Sequence, residues 1–399
     1  KAFYEGIAVK FHQYSPQRET PVCEHFTYCG GCQWQHMNYQ SQLFYKQQEV
    51  VNNLKRLGGI VPEETLPILG CEKPYFYRNK IEFSFSETRW LTPEEIASKE
   101  TIDSRNGLGF HIAGAWDKVL DIHKCHLQQD PSNAIRNTLK AYALSQGYTF
   151  YNPRTHIGWL RTIMIRITSL GELMVVIQFL EEQQHEREQL LDYLLAQFPQ
   201  ITSLQYIINN KPNDTIYDQE VICYHGRDFI YEQMEGLRFK INAKSFFQTN
   251  STQAYELYKV TRDFAALTGE EIVYDLYTGT GTIAQFVARK AKKVIGVEAV
   301  PEAIADAKEN ARNNQIDNVE FFVGDMKNIF NEEFIATHGT PDVIITDPPR
   351  DGMHKDVVAQ ILRIAPQRVV YVSCNSATQA RDLALMTPKY RVVKIRPVD

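Results

Sequence analysis

No run of residues in this sequence is both long and apolar enough to span a bilayer as a helix. Positive charge is not in excess either: 43 Lys and Arg stand against 48 Asp and Glu, a formal net charge of −5. For the whole chain that withholds support from nucleic-acid binding, although a basic face can hide within an acidic total. Cysteine is scarce and odd in number, seven in 399 residues. This argues against a disulfide scaffold and for a reduced, cytoplasmic compartment. There are no internal repeats and no low-complexity tract, so neither a solenoid nor a disordered linker accounts for the length. The first residue is Lys1 rather than Met, and the sequence reads as a fragment that would not show a signal or upstream domain.

What is present is a soluble, globular composition, 43% hydrophobic with mixed charges, and length for two or three domains. Residues 1–22 look like the tail of something, an extended run over 6–11 followed by a Ser-Pro turn. Residues 23–36 form a Cys/Gly/His knot. Residues 38–58 predict a helix capped by Asn38 or Ser41 and ended by Gly58-Gly59. From 75 to 235, strand patterns (81–85, 162–168, 173–179) alternate with polar turns and helical patterns at 131–146 and 185–198, an α+β region with antiparallel pairing. Its Arg154, Arg161 and Arg166, among Tyr151 and Trp159, read as a solvated strand face rather than a nucleic-acid patch.

The texture changes near 240. Short, nearly continuous apolar strands now alternate with helices at 281–291, 301–314, 355–365 and 376–386. That predicts a parallel, doubly wound sheet of the Rossmann-like α/β class, with ligands at the carboxyl ends of its strands. The first strand runs into Asp275-Leu-Tyr277-Thr-Gly279-Thr-Gly281, where glycines allow a tight turn and close ligand approach. The second ends in Glu298, nineteen residues after Gly279, placed to accept ribose hydroxyls; the third ends in Asp325, placed to reach an adenine edge. These features indicate an adenosine-containing cofactor and leave a nicotinamide dinucleotide and S-adenosylmethionine both open. The fourth strand ends in Asp347-Pro348-Pro349-Arg350, a tip with no amide donors at its prolines, for which hydride transfer has no use.

The fifth strand ends in Ser373-Cys374-Asn375. A lone cysteine there is commonly a small buried apolar residue. This one faces the same crevice as Asp347, and the helix predicted to follow favours a thiolate. A thiolate adding to C6 of a pyrimidine makes C5 nucleophilic, which suits methylation of a flipped-out base.

Taken together the motifs resemble the RNA uracil-5-methyltransferases, and among them the bacterial 23S rRNA type with an iron–sulfur cluster. The matching pieces are Cys23-x5-Cys29-Gly-Gly-Cys32, Phe246-Phe247-Gln248-Thr249-Asn250, Asp275 to Gly281, Asp347 to Arg350 and Ser373 to Asn375, in the family's order over nearly the whole chain. The resemblance implies Cys374 as nucleophile, with Asp347 beside it. Gln248, Tyr277, Gly279, Glu298, Asp325 and Asp347 would hold S-adenosylmethionine, and Phe246 and Gln248 would border the target uracil. Read without it, Phe246-Phe247 would simply be core. It further implies a [4Fe–4S] cluster on Cys23, Cys29, Cys32 and Cys125; by spacing alone, zinc would use the same ligands. Cys71 and Cys223 match nothing.

The resemblance divides the chain into the tail of an amino-terminal β-barrel RNA-binding domain (1–22), a cysteine segment with linking helix (23–74), a central α+β RNA-binding domain (75–239) and a catalytic domain (240–399). The implied partner is RNA, with 23S ribosomal RNA the expected substrate and transfer RNA open; the expected state is a monomer in the cytoplasm. The family's C5-proton base is a glutamate in a motif expected beyond Asp399, so the chain as it stands is expected to turn over poorly. Three rivals stand beside this reading: a cytosine-5 RNA methyltransferase, a non-catalytic iron–sulfur or zinc RNA-binding protein, and a nicotinamide oxidoreductase.

Overall fold

A computed structural model describes residue 6 and residues 9–99, 101–102 and 104–399. The extended run expected at 6–11 lies partly outside the described residues. The Ser-Pro turn is present, closed by the Arg18 amide donating to the Ser15 carbonyl at 3.1 Å.

The carboxyl-terminal unit is the doubly wound sheet that the strand–helix alternation demands. Its five parallel strands lie in the order Val319–Val323, Lys293–Glu298, Ile272–Leu276, Val343–Thr346, Arg368–Tyr371. The chain begins in the middle strand, winds outward to one edge, then crosses back to build the other. The crossing places a crevice at the tips of Ile272–Leu276 and Val343–Thr346, where open α/β sheets bind ligands. Helices cover both faces, so its central strands are buried on both sides.

The middle unit is a seven-stranded sheet in the order Ala115–Asp121, Gly107–Ile112, Lys80–Ser86, Leu160–Ile167, Leu173–Phe179, Ser203–Ile208, Ile222–Gly226. Its pairing is antiparallel except between Leu173–Phe179 and Ser203–Ile208, which run parallel across the helix Gln184–Gln197. The expectation of antiparallel pairing is corrected there: every residue of Leu173–Phe179 is buried, and a strand covered on both faces suits a helical crossover. Helices Ser132–Ser145 and Gln184–Gln197 cover one face. The other face supplies Met164, Met174, Val176 and Ile207 to a core shared with Phe239, Phe247 and the catalytic sheet. Two elements on that seam escaped the sequence reading, the hairpin Phe229–Met234/Leu237–Asn242 and the helix Ser251–Ala265.

The solvated-face reading of the arginines is also corrected. Arg154 is exposed, but Arg161 and Arg166 are buried within Leu160–Ile167. Arg161 donates to the carbonyls of Asn209, Lys211 and Asn213 and to Asp214, and lies 4.3 Å from the centre of the Tyr151 ring. It ties a loop to the sheet; its charge is met inside the protein.

The helix Tyr39–Leu57 is capped by Asn38, whose side chain accepts from the Ser41 amide at 2.9 Å. It packs against Ser376–Met386 of the catalytic unit through Leu54, Ile60 and Ala380. After it, Glu64–Thr65 pairs in parallel with Lys394–Ile395.

Candidate active site

The crevice begins with a strained turn. Tyr277 follows Ile272–Leu276 at φ 64°, and Gly279 and Gly281 follow at 55° and 75°. A non-glycine residue there is costly and is held only where its surroundings insist. The insistence is visible: Thr278 donates to the buried Asp275 at 2.5 Å, the Thr278 amide reaches the Val297 carbonyl, and the Gly279 amide donates to Glu298 at 3.1 Å. A Cβ on Gly281 would lie 2.6 Å from the Phe321 ring. Burial pushes Asp275 up to about 7, and pushes Tyr277 up to about 12 with Asp325, Asp382 and Glu298 adding to it. Glu298 stands at the second strand tip and also accepts from the Ala299 and Val300 amides. Asp325 caps Met326–Ile329 by accepting from the Lys327 amide.

Across the crevice, Thr346 pairs with both Leu276 and Tyr371. Asp347 is therefore one residue past its rung, and Cys374 three past the neighbouring one. Asp347 is half-buried, and burial alone raises its carboxyl to about 6. Cys374 is exposed. Asn375 caps the following helix, Ser376–Met386, accepting from the Ala377 amide, while its amide group donates to the Arg350 carbonyl at 3.1 Å. Thr378 donates to the same carbonyl at 3.1 Å. The two loops are thus tied together behind their reactive side chains.

Cys374, Asp347, Arg350 and Gln248 open on one broad groove. Gln248 lies in a loop pinned from the middle sheet: the Asn79 amide donates to the Thr249 carbonyl at 2.7 Å, and its side chain donates to the Gln248 carbonyl and to Ser251, both at 2.8 Å. Phe246 and Phe247 part company here. Phe247 is 5% exposed in the shared core, whereas Phe246 is 69% exposed. Tyr277, Gly279, Glu298 and Asp325 do not line this groove; they stand at the first three strand tips. Asn79 and Asp275 were not singled out as site residues. Nothing marks Asn79 in the sequence, since its partners lie far along the chain.

Cys23, Cys29, Cys32 and Cys125 line a separate small pocket, with Phe110, Ile122 and His126. Among the described residues no group of three or more His, Cys, Asp or Glu is arranged to hold a metal ion, and all seven cysteines are free. Burial pushes Cys29 up to about 11 and raises Cys23 and Cys125. The thiolate form therefore needs positive charge brought into the pocket. By chemistry the donors fit a soft metal centre, and Gly30 lets the cysteine turn lie against the hairpin, its Cβ position being 3.1 Å from the His111 carbonyl.

A parallel sheet with a glycine turn after its first strand, acidic tips on the next two, and Asp-Pro-Pro-Arg beside an exposed cysteine defines a Rossmann-like methyltransferase. The tRNA (uracil-5-)-methyltransferase family matches residues 167–399, more than half of the chain, and the chain belongs to that family. An uncharacterized RNA methyltransferase of Bacteroides thetaiotaomicron is 57% identical over the whole chain and 88% of its own length. Another, of Chlorobaculum tepidum, is 38% identical over the whole chain and 83% of its own. Among solved structures, the Pyrococcus abyssi tRNA (uracil-54, C5)-methyltransferase in complex with S-adenosyl-L-homocysteine superposes with a TM-score of 0.71 at 28% identity, covering 94% of this chain and 81% of that one. No helix of the described residues is long and apolar enough to cross a membrane.

Proposed function

We propose that this enzyme methylates C5 of a uridine in RNA, most specifically in 23S ribosomal RNA, through a covalent bond between Cys374 and C6. The observation that carries this is the placement of Asp347 and Cys374 at adjacent strand tips on one groove with Gln248. S-adenosylmethionine supplies the methyl group. Tyr277, Gly279, Glu298, Asp325, Gln248 and Asp347 are the residues proposed to hold it. The Cys374 thiolate adds to C6 of a base flipped from its stack and stacked against Phe246. Electron density moves to C5, which takes the methyl. The C5 proton then leaves to a base, and the thiolate is expelled as the double bond re-forms.

A transfer RNA substrate is the second reading, favoured by the likeness to the Pyrococcus enzyme. The cysteine pocket is proposed to hold a [4Fe–4S] cluster. Two observations support a metal–thiolate group there. The four cysteines share one pocket. Beside Cys125, buried Arg136 (1% exposed) leaves Nε and Nη1 without hydrogen-bond partners, a positive charge that suits an anionic thiolate set. Its function would be to brace the cysteine segment against the middle sheet. We infer a monomer, since the proposed catalytic groups lie on one chain, and a reducing cytoplasm, which free cysteines suit.

The test incubates the enzyme with labelled S-adenosylmethionine and unmodified 23S RNA or transfer RNA, followed by nucleoside analysis, with Cys374→Ala in parallel. Label is expected in 5-methyluridine from the ribosomal RNA, lowered at least about 1,000-fold in the variant. Label from transfer RNA alone moves the enzyme to the second reading, and 5-methylcytosine overturns the uracil assignment.

A further inference from the structure

We propose that Asp382 is a positioning residue that fixes the Asp347 loop against the Cys374 loop. It stands on the helix Ser376–Met386, two turns beyond the cysteine, and is 1% exposed. One of its carboxylate oxygens, Oδ2, accepts from the Met353 amide at 2.7 Å and from the Tyr371 hydroxyl at 2.7 Å. Met353 closes the loop that begins at Asp347; Tyr371 is the last residue of the strand that leads to Cys374. A single atom therefore bonds to the chain on both sides of the crevice. The other oxygen accepts from Arg381 at 2.9 and 2.7 Å, so the buried charge is compensated.

The rest of the helix start completes the grip. Asn375 and Thr378 hold the Arg350 carbonyl, and Arg381 donates to the Asp351 carbonyl at 2.8 Å. Of residues 350–353 only Gly352 gives no hydrogen bond to this helix, and its role is to allow the approach. It sits at φ 79°, and a Cβ there would lie 2.6 Å from Asp382 Oδ2. Among the described residues no donor holds the Asp347 carboxylate, and Cys374 is exposed. Their mutual placement thus comes from their backbones, and the backbones are set by this helix. An ångström of error between the nucleophile and the groups that orient the reactants costs on the order of 100-fold in rate.

This inference rests on Cys374 and Asp347 forming the reacting centre, and the test separates the two ideas. Tyr371→Phe removes one hydroxyl and keeps the ring; Asp382→Asn keeps the shape and removes the charge. Covalent adduct formation with RNA containing 5-fluorouridine is followed in a single turnover, beside binding of S-adenosylhomocysteine and the melting temperature. Both variants are expected to slow adduct formation about 10- to 100-fold. For Tyr371→Phe, cofactor binding should stay within about threefold and melting within a few degrees. Wild-type adduct rates in Tyr371→Phe, or a loss that only follows melting or cofactor binding, would overturn the positioning role. An enzyme that forms no adduct in the wild type would instead overturn the reading of Cys374. If Asp382→Asn fails to fold, Tyr371→Phe decides alone.

Discussion

Asp347 is a carboxylate raised to about 6 by burial, with no cation or donor among the described residues to offset it. Its ordinary value is 3.8, so between these values the native state keeps a proton that the unfolded chain has released. Stability then falls as pH rises across that interval and stays lowered above it. Asp347→Asn removes the burden together with the function. The variant should melt above the wild type at about pH 8, the gap closing by about pH 4, while methyl transfer is lost. Thermal melts across that range check the sign; a variant that melts lower at the alkaline end sinks the account. At this scale the sequence was informative where chemistry is local to a motif. That Cys374 and Asp347 would stand near one another could be read because strand ends in a parallel sheet share one edge. Arg161 and Arg166 were misjudged because charge pattern carries no depth: loop carbonyls from 209–213 that satisfy Arg161 have no signature of their own. The pair Phe246-Phe247 could not be split, since neighbouring residues point opposite ways and only the fold says which way is out.

Between elements, the decisive joint is Asn79. It holds the carbonyls of Gln248 and Thr249, so the start of one strand of the middle sheet fixes the loop that borders the groove. Asn79→Ala deletes two side-chain hydrogen bonds at a buried residue, each worth about 1 kcal/mol. The expected result is a KM for RNA raised about tenfold with a smaller change in kcat, measured by steady-state methylation. An unchanged KM would mean that the loop holds itself. The helices after the first, second, fourth and fifth of the parallel strands were legible from apolar runs of the right length, whereas the short Met326–Ile329 and Glu332–His338 after Val319–Val323 were not. The helix Ser251–Ala265 and the hairpin ahead of it were not, for they lie on a seam where apolar residues serve two units at once and the periodicity is diluted. The parallel pair Leu173–Phe179 and Ser203–Ile208 was hidden similarly: a turn signal marks where a strand ends but not which way the next one runs.

For the molecule as a whole, the cysteine pocket lies against the middle sheet while the groove belongs to the catalytic unit. Removal of the proposed cluster, by oxidation and chelation, should therefore lower the melting temperature by several degrees and leave S-adenosylhomocysteine affinity within about threefold. Iron and sulfide analysis before and after, with calorimetry for the ligand, reads both arms. Stoichiometric zinc in place of iron in protein prepared without oxygen would set aside the cluster. The tie between the distant ends of the chain could not be read in advance, because two-residue strands such as Glu64–Thr65 are too short for any pattern.

That tie has a mechanical meaning. Glu64–Thr65 and Lys394–Ile395 lie side by side, and the helix Tyr39–Leu57 rests on the catalytic unit, so the chain is already part of that unit before the middle sheet begins and returns to it afterwards. The middle sheet is a guest inserted into its host, moored at both ends and pressed to it by a common core. A guest with two moorings does not tumble. Its orientation to the groove is therefore set by the covalent path of the chain as well as by the shared core.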